Sequence, residues 1–169
     1  MTISALLNRQ PPSLNHSQLV CRRPRTMTDT ALNQTVTAYL AVDGAAAAIE
    51  FYKQAFGAEE RYRIPGPDGK IGHAELFIGN SLIYLADDWP EGDFFSPLTR
   101  GGVSVAFALD VDDADAAVER AVAAGARIIR EPRDEPFGRT ADVADPFGHR
   151  WSLTKVNPNF KPEDMMGAS

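Results

Sequence analysis

The chain has 169 residues, 44% hydrophobic and 24% charged, with a net charge of −6, which fits one soluble domain or two small halves sharing a core. No apolar run approaches the ~20 residues that span a bilayer, so a membrane-spanning role is not expected. Charge is unevenly placed: residues 1–26 hold Arg9, Arg22, Arg23 and Arg25 and no acid, so the remainder is acidic, and an acidic body argues against nucleic acid as a partner. Cys21 is the only cysteine, so no intrachain disulfide can form, in keeping with a reducing, cytoplasmic setting.

Residues 1–33 show no sustained period. They are Arg-rich and acid-free, as an organelle transit peptide is. They read instead as a disordered tail or as sequence upstream of a start at Met27. Gln34–Val42 alternates as a strand should, with Val36, Leu40 and Val42 on one face and Thr37 and Tyr39 on the other. Asp43-Gly44 opens a helix over Ala45–Phe56. Its apolar residues Ala45, Ala48, Ile49, Tyr52 and Phe56 share a face, and Gly57 ends it. Strands are predicted at Glu59–Ile64, Ile71–Ile78 and Ser81–Ala86, the last two joined by a Gly79-Asn80 hairpin turn. The unit is β-α-β-β-β.

A linker rich in Gly, Pro and aromatics follows, and then the order repeats. Val103–Val111 is a strand, with Phe107, Leu109 and Val111 on one face and Ser104, Ala106 and Ala108 on the other. A helix capped by Asp112 or Asp113 runs to about Ala124. Ala126–Arg130 is a strand, Glu131–Gly138 a loop, Arg139–Ala144 a strand, Asp145-Pro146-Phe147-Gly148 a turn and His149–Lys155 the last strand. The repeat is visible residue by residue. Val42-Asp43-Gly44-Ala45 returns as Val111-Asp112-Asp113-Ala114, and Gly79 returns as Gly148, both at an offset of 69. Two copies of one unit predict two modules with a cavity between them. The boundaries are a tail over 1–33, a domain over 34–156 (module one 34–87, linker 88–102, module two 103–156) and a loose tail over 157–169.

Ala48-Ile49-Glu50-Phe51-Tyr52-Lys53-Gln54-Ala55-Phe56-Gly57-Ala58 resembles the helix motif of the vicinal-oxygen-chelate (VOC) superfamily, the glyoxalase/bleomycin-resistance/dioxygenase group. Asp145-Pro146-Phe147-Gly148-His149-Arg150-Trp151 resembles its second hairpin, and with His73-Ala74-Glu75-Leu76 the form is most similar to the PhnB-like branch. The resemblance implies an α+β fold of two tandem βαβββ modules in a half-closed eight-stranded barrel, a homodimer, and in many members a divalent metal in the cavity. The ligand positions it implies fall at Thr37, Ala106, Ser152 and either Ile83 or Tyr84. None is His or Glu, so a resident metal is disfavoured.

The remaining candidates come from the residues themselves. His73 and Glu75, two apart on one strand, leave the same face and form a candidate acid/base pair; a carboxylate in an apolar cavity is expected to have a raised pKa. The same pair is an incomplete metal site, which His149 joins only if its turn folds inward. Thr37, Tyr39, Ser104, Ser152 and Thr154 are candidate polar cavity liners, and Trp89, Phe94 and Phe95 an aromatic lid or a pin for the linker. Arg139 is either an anion contact or a surface ion pair. Trp151 reads as core. Phosphate-binding Gly-rich loops, CxxC, Gly-x-Ser-x-Gly and HExxH are absent. The functional expectation is a small-molecule binder working without the metal. The alternative is a lyase, isomerase or dioxygenase using His73 and Glu75.

Overall fold

A computed structural model describes residues 34–166, so the expectation for residues 1–33 lies outside the described residues. The elements are β1 (Ala38–Val42), α1 (Ala45–Phe56), β2 (Glu59–Pro65), β3 (Ile71–Ile78), β4 (Ser81–Asp87), a short α2 (Pro97–Arg100), β5 (Ala106–Asp110), α3 (Ala114–Ala123), β6 (Arg127–Glu135), β7 (Gly138–Ala144) and β8 (Arg150–Val156). They form two four-stranded mixed sheets of the same topology, β1-β4-β3-β2 and β5-β8-β7-β6. In each, the first strand runs parallel to the last and the other neighbours are antiparallel. This is the predicted α+β fold of two βαβββ modules; the sheets do not close into a barrel.

Helix α1 begins at Gly44 and ends at Gly57. Gly57 takes the left-handed φ of 66° and donates its N–H to the carbonyls of the last turn. Its first turn is held from outside: Asp87, at the end of β4, accepts from the backbone N–H groups of Gly44 and Ala45. Helix α3 is capped by Asp113, whose carboxylate accepts from Ala116 N–H. Each helix covers one face of its own sheet, and the helices pack on each other. The two modules therefore share one core, in which Leu40, Val42, Ile49, Leu76 and Leu85 of module one continue into Val118, Val143, Trp151 and Leu153 of module two. Each fully buried aliphatic side chain contributes about 1.5–3 kcal/mol.

A buried polar hub ties the modules together. Asp145 is 4% exposed. It accepts from the Tyr52 hydroxyl at 2.7 Å, from Trp151 Nε1 at 3.0 Å, and from the backbone N–H groups of Phe147 and His149. Tyr52 comes from α1, so one carboxylate bonds across the duplication. Burial, the Asp145 charge and that hydrogen bond together hold the Tyr52 phenol well above its usual range. Gly148 completes the turn at φ 90°, where a Cβ would come within 2.9 Å of Pro97 Cβ, so the turn and the linker pack too closely for any other residue.

Three expectations need correction. The first strand begins at Ala38, not Gln34, and Val36 is 82% exposed rather than helix-packed. The Gln34 side-chain amide takes the place of strand backbone there, donating to Leu82 O and accepting from Leu82 N. The second starts at Ala106, not Val103. The loop expected over 131–138 is largely strand, because β6 continues to Glu135 through register shifts beside Arg130. Residues 157–166 carry a short turn at Pro162–Met165.

Candidate active site

The faces turned away from the helices are open. On sheet one, cross-strand register lines up Tyr39 (β1), Tyr84 (β4), Glu75 (β3) and Tyr62 (β2) in one row. This settles the uncertain position: Tyr84 belongs to the open row, while Ile83 is in the core. Around the row the rings pack edge to face. Tyr39 lies 5.4 Å from His73, 5.7 Å from Tyr84 and 5.1 Å from Phe94, and His73 lies 5.0 Å from Tyr84.

His73 and Glu75 do come together, with His73 hydrogen-bonded to Tyr39 and at ion-pair distance from Glu75. The Tyr39 hydroxyl lies 2.9 Å from His73 Nδ1, and His73 Nε2 lies 3.6 Å from Glu75 Oε1. Glu75 is 5% exposed, yet both its oxygens are occupied, Oε1 by the Tyr62 hydroxyl at 2.6 Å and Oε2 by the Arg61 guanidinium at 2.7 Å. The expectation of a raised carboxyl pKa is therefore wrong. Burial pushes Glu75 up, but the bonds from Tyr62, Arg61 and His73 outweigh it and hold Glu75 below its ordinary value. Glu75 is an ionised anchor for His73 rather than a base. A carboxylate beside Nε2 favours the proton there and leaves Nδ1 to accept from Tyr39. Burial raises the Tyr39 phenol, which keeps it a donor.

The donor set does not suit the divalent ion that the fold family implies. His73 and Glu75 are two donors from one strand, Glu75 is already saturated, and an added cation would sit beside Arg61. The implied positions carry Thr37, Tyr84, Ala106 and Ser152. Among the described residues no three of His, Cys, Asp or Glu converge.

Between β1 and β5 lies a groove of about 490 Å³, walled by Tyr39, Phe94, Phe95, Val105, Phe107 and His149, with Ser104 also in its lining. The D-P-F-G turn does fold inward: His149 is 8% exposed and its Nε2 reaches Ala41 O at 3.0 Å. A second hollow of about 780 Å³ lies beside the linker and shares Tyr39 and Phe94 with the groove. Trp89 is in its lining, 62% exposed, and its backbone bonds to Phe94. Thr37 is half-buried just before β1.

Two candidates lie elsewhere. Ser152 is on the open face of sheet two, where its hydroxyl donates to Asp142. Arg139 is on the helix side of β7, its guanidinium taken by Asp115 on α3 and by Asp134. The structure also adds Asp142 and Arg130, which sequence reasoning missed. Ala108 (β5), Ser152 (β8), Asp142 (β7) and Arg130 (β6) form the row on sheet two that corresponds to Tyr39, Tyr84, Glu75 and Tyr62. Asp142 is 5% exposed and pairs with both Arg130 and Arg150 at 2.9 Å. The sequence carried a signal for it, since His73-Ala74-Glu75 returns as Thr140-Ala141-Asp142. Arg61 and Tyr62, side by side at a register shift in β2, had no such signal.

The family model of the Glyoxalase/Bleomycin resistance protein/Dioxygenase superfamily matches residues 31–153. An uncharacterized protein of Mycobacterium bovis is 47% identical over 119 residues, 68% of this chain and 78% of that protein. The anthracycline biosynthesis protein DnrV of Streptomyces peucetius is 32% identical over 133 residues, 77% of this chain but only 44% of DnrV. The solved structure of an Arabidopsis thaliana gene product superposes with a TM-score of 0.60 at 31% identity, covering 71% of this chain and 97% of that one. By motif, fold and similarity the chain belongs to the Glyoxalase/Bleomycin resistance protein/Dioxygenase superfamily.

Proposed function

We propose that this protein binds a small aromatic molecule in the groove between its modules, without a resident metal. The observation that carries the reading is the double placement of Tyr39. Its ring walls the groove, and its hydroxyl is fixed on His73. A groove of about 490 Å³ whose walls mix the rings of Tyr39, Phe94, Phe95 and Phe107 with polar side chains such as Ser96, Arg100 and His149 has the character of a small-molecule site. The similarity to an anthracycline biosynthesis protein supports a polycyclic aromatic as ligand class. Calorimetric titration with 2-naphthol tests this: the expected result is one site, weakened about tenfold or more in Y39A. No binding, or binding indifferent to Y39A, would overturn it. A parallel titration with zinc or nickel is expected to show no tight site; one-to-one binding lost in H73A would refute the metal-free reading.

The motifs His73-Ala74-Glu75-Leu76 and D-P-F-G-H-x-W support the PhnB-like branch. The reading includes a homodimer, because the open face of sheet one leaves Tyr62 and Ile64 exposed; light scattering checks it. It also places the protein in the cytoplasm, with neither nucleic acid nor membrane as partner. The net charge of −6 supports this, and no described helix is long and apolar enough to cross a membrane.

One observation favours a second reading, an enzyme of the lyase, isomerase or dioxygenase kind. Tyr39, His73 and Glu75 form a hydroxyl–imidazole–carboxylate chain, and such a chain can move a proton between His73 and Tyr39. If purified protein with added nickel or zinc isomerises the hemithioacetal of methylglyoxal and glutathione, this second reading replaces the first.

A further inference from the structure

His149 is a buried titratable group in the groove wall that the Tyr39–His73–Glu75 chain does not use. Its position is fixed twice. The backbone N–H donates to Asp145 Oδ1 at 2.9 Å, and Nε2 lies 3.0 Å from Ala41 O. A backbone carbonyl can only accept, so the proton of the neutral ring sits on Nε2 and Nδ1 keeps its lone pair. Nδ1 makes no hydrogen bond to any described residue. It is also not sealed from solvent, because the buried side-chain polar atoms without a partner among the described residues are Arg133 Nη1 and Arg150 Nε. The ring therefore offers one unfilled acceptor, in a residue that lines the groove.

The other polar side chains of the wall are already engaged. Ser96 is held by Asp88 and Thr99, Arg100 by Asp93, and the Tyr39 hydroxyl by His73. Ser104 is exposed. One ring neighbours the imidazole, with the Phe107 centroid 5.9 Å from it, and Phe94 and Phe95 line the same groove.

We infer that His149 is the ligand-recognising residue of this groove, and that its Nδ1 accepts a hydrogen bond from a hydroxyl on a planar aromatic ligand. The inference rests on the groove being the binding site and deepens that reading to a substrate class, phenols rather than their ethers. A phenol is a strong donor, and its flat ring suits the aromatic walls. An ether of the same shape fills the same space but has no proton to give Nδ1, and it displaces whatever water would pair there, which costs binding.

The experiment compares 2-naphthol with 2-methoxynaphthalene on the full chain. Wild type is expected to favour the naphthol about tenfold, which is one hydrogen bond's worth of affinity. In the H149L variant both ring nitrogens are gone and no acceptor takes the place of Nδ1, so the preference is expected to vanish while both probes still bind. Equal affinity of the two probes for wild type, or a preference that survives in H149L, would overturn the inference while leaving groove binding intact. Failure of both probes to bind would overturn both readings. Imidazole ¹⁵N shifts give a measurement that needs no variant. They should show His149 as the Nε2–H tautomer, with the Nδ1 resonance moving when naphthol is added and staying still with the ether. A protonated Nδ1 in the free protein, or one that ignores naphthol, would sink the idea.

Discussion

The two open sheet faces start from the same plan and end with different chemistry. Each has a carboxylate at the same place on its third strand, Glu75 and Asp142, each 5% exposed and each paired with arginine. On sheet one the neighbours of that acid are Tyr39, Tyr84, Tyr62 and His73. On sheet two the corresponding residues are Ala108, Ser152, Arg130 and Thr140. The buried acid and its cation recur in both copies, while the groups that could recognise a ring or move a proton gather in module one. The common part reads as architecture and the divergent part as function. Variants can separate these roles.

The largest effect is expected where the two modules join. Asp145→Ala removes the acceptor for Tyr52, Trp151 and two backbone N–H groups at once, all of them buried. Leaving several buried donors unpaired should cost about 3–5 kcal/mol, read as a lower midpoint in urea unfolding followed by near-UV circular dichroism. A loss below about 1 kcal/mol would mean that water replaces the carboxylate and that the modules are tied by apolar packing alone.

Next come the two matched acids. E75Q and D142N each remove a buried charge from beside arginines that are close to half exposed, so their partners rehydrate and the cost is about 1–3 kcal/mol. Their pH signature is more telling. For both acids burial raises the pKa, but bonds from Tyr62 and Arg61 at Glu75, and from Ser152 and Arg150 at Asp142, lower it further. A carboxyl depressed in the folded state stabilises it above the unfolded pKa, and that stabilisation is lost as pH falls through the folded value. Stability of the wild type should therefore decline below about pH 4.5, and each variant should flatten part of that decline. Glu60, held to about 2 chiefly by Arg63 against a desolvation that opposes it, extends the same loss to the acid end of the range. If only E75Q flattens the curve, the two acids are not equivalent and the structural parallel is superficial.

Much of this organisation was legible in the sequence. The i, i+3, i+4 spacing of Ala45, Ala48, Ile49 and Tyr52 announced the buried face of α1, and the two-residue spacing of His73 and Glu75 announced a shared face. What stayed hidden depended on distant partners. Gln34 satisfies Leu82 with its side-chain amide, so the strand pattern over 34–37 has no strand behind it. Pro132 and the charged run around it look like a loop, but β6 is an edge strand, where a missing N–H and a register shift cost little. The lowered pKa of Glu75 could not be read locally, because Arg61 and Tyr62 reach it from the next strand.

Hydroxyl deletions sharpen the comparison further. Y39F and S152A each remove one hydroxyl bonded on an open face, to His73 and to Asp142 respectively. Each should cost about 1 kcal/mol or less in stability. Only Y39F should alter 2-naphthol binding and the ¹⁵N shifts of His73. Equal effects of both on binding would place part of the site on sheet two.

The smallest effect is expected at Arg139, and it tests whether position on the sheet decides function. Its guanidinium is held by Asp115 and Asp134, which raise its pKa further still. That arrangement spends its charge on the helix side of β7, away from the open face where Thr140 and Asp142 lie. An exposed ion pair of this kind contributes little to stability because solvent screens it. R139A should therefore leave 2-naphthol affinity unchanged and shift the unfolding midpoint only slightly, with the shift shrinking in high salt. Loss of ligand affinity in R139A would show that the helix side communicates with the groove. The separation between a structural face and a functional face would then fail at the residue where it should be safest.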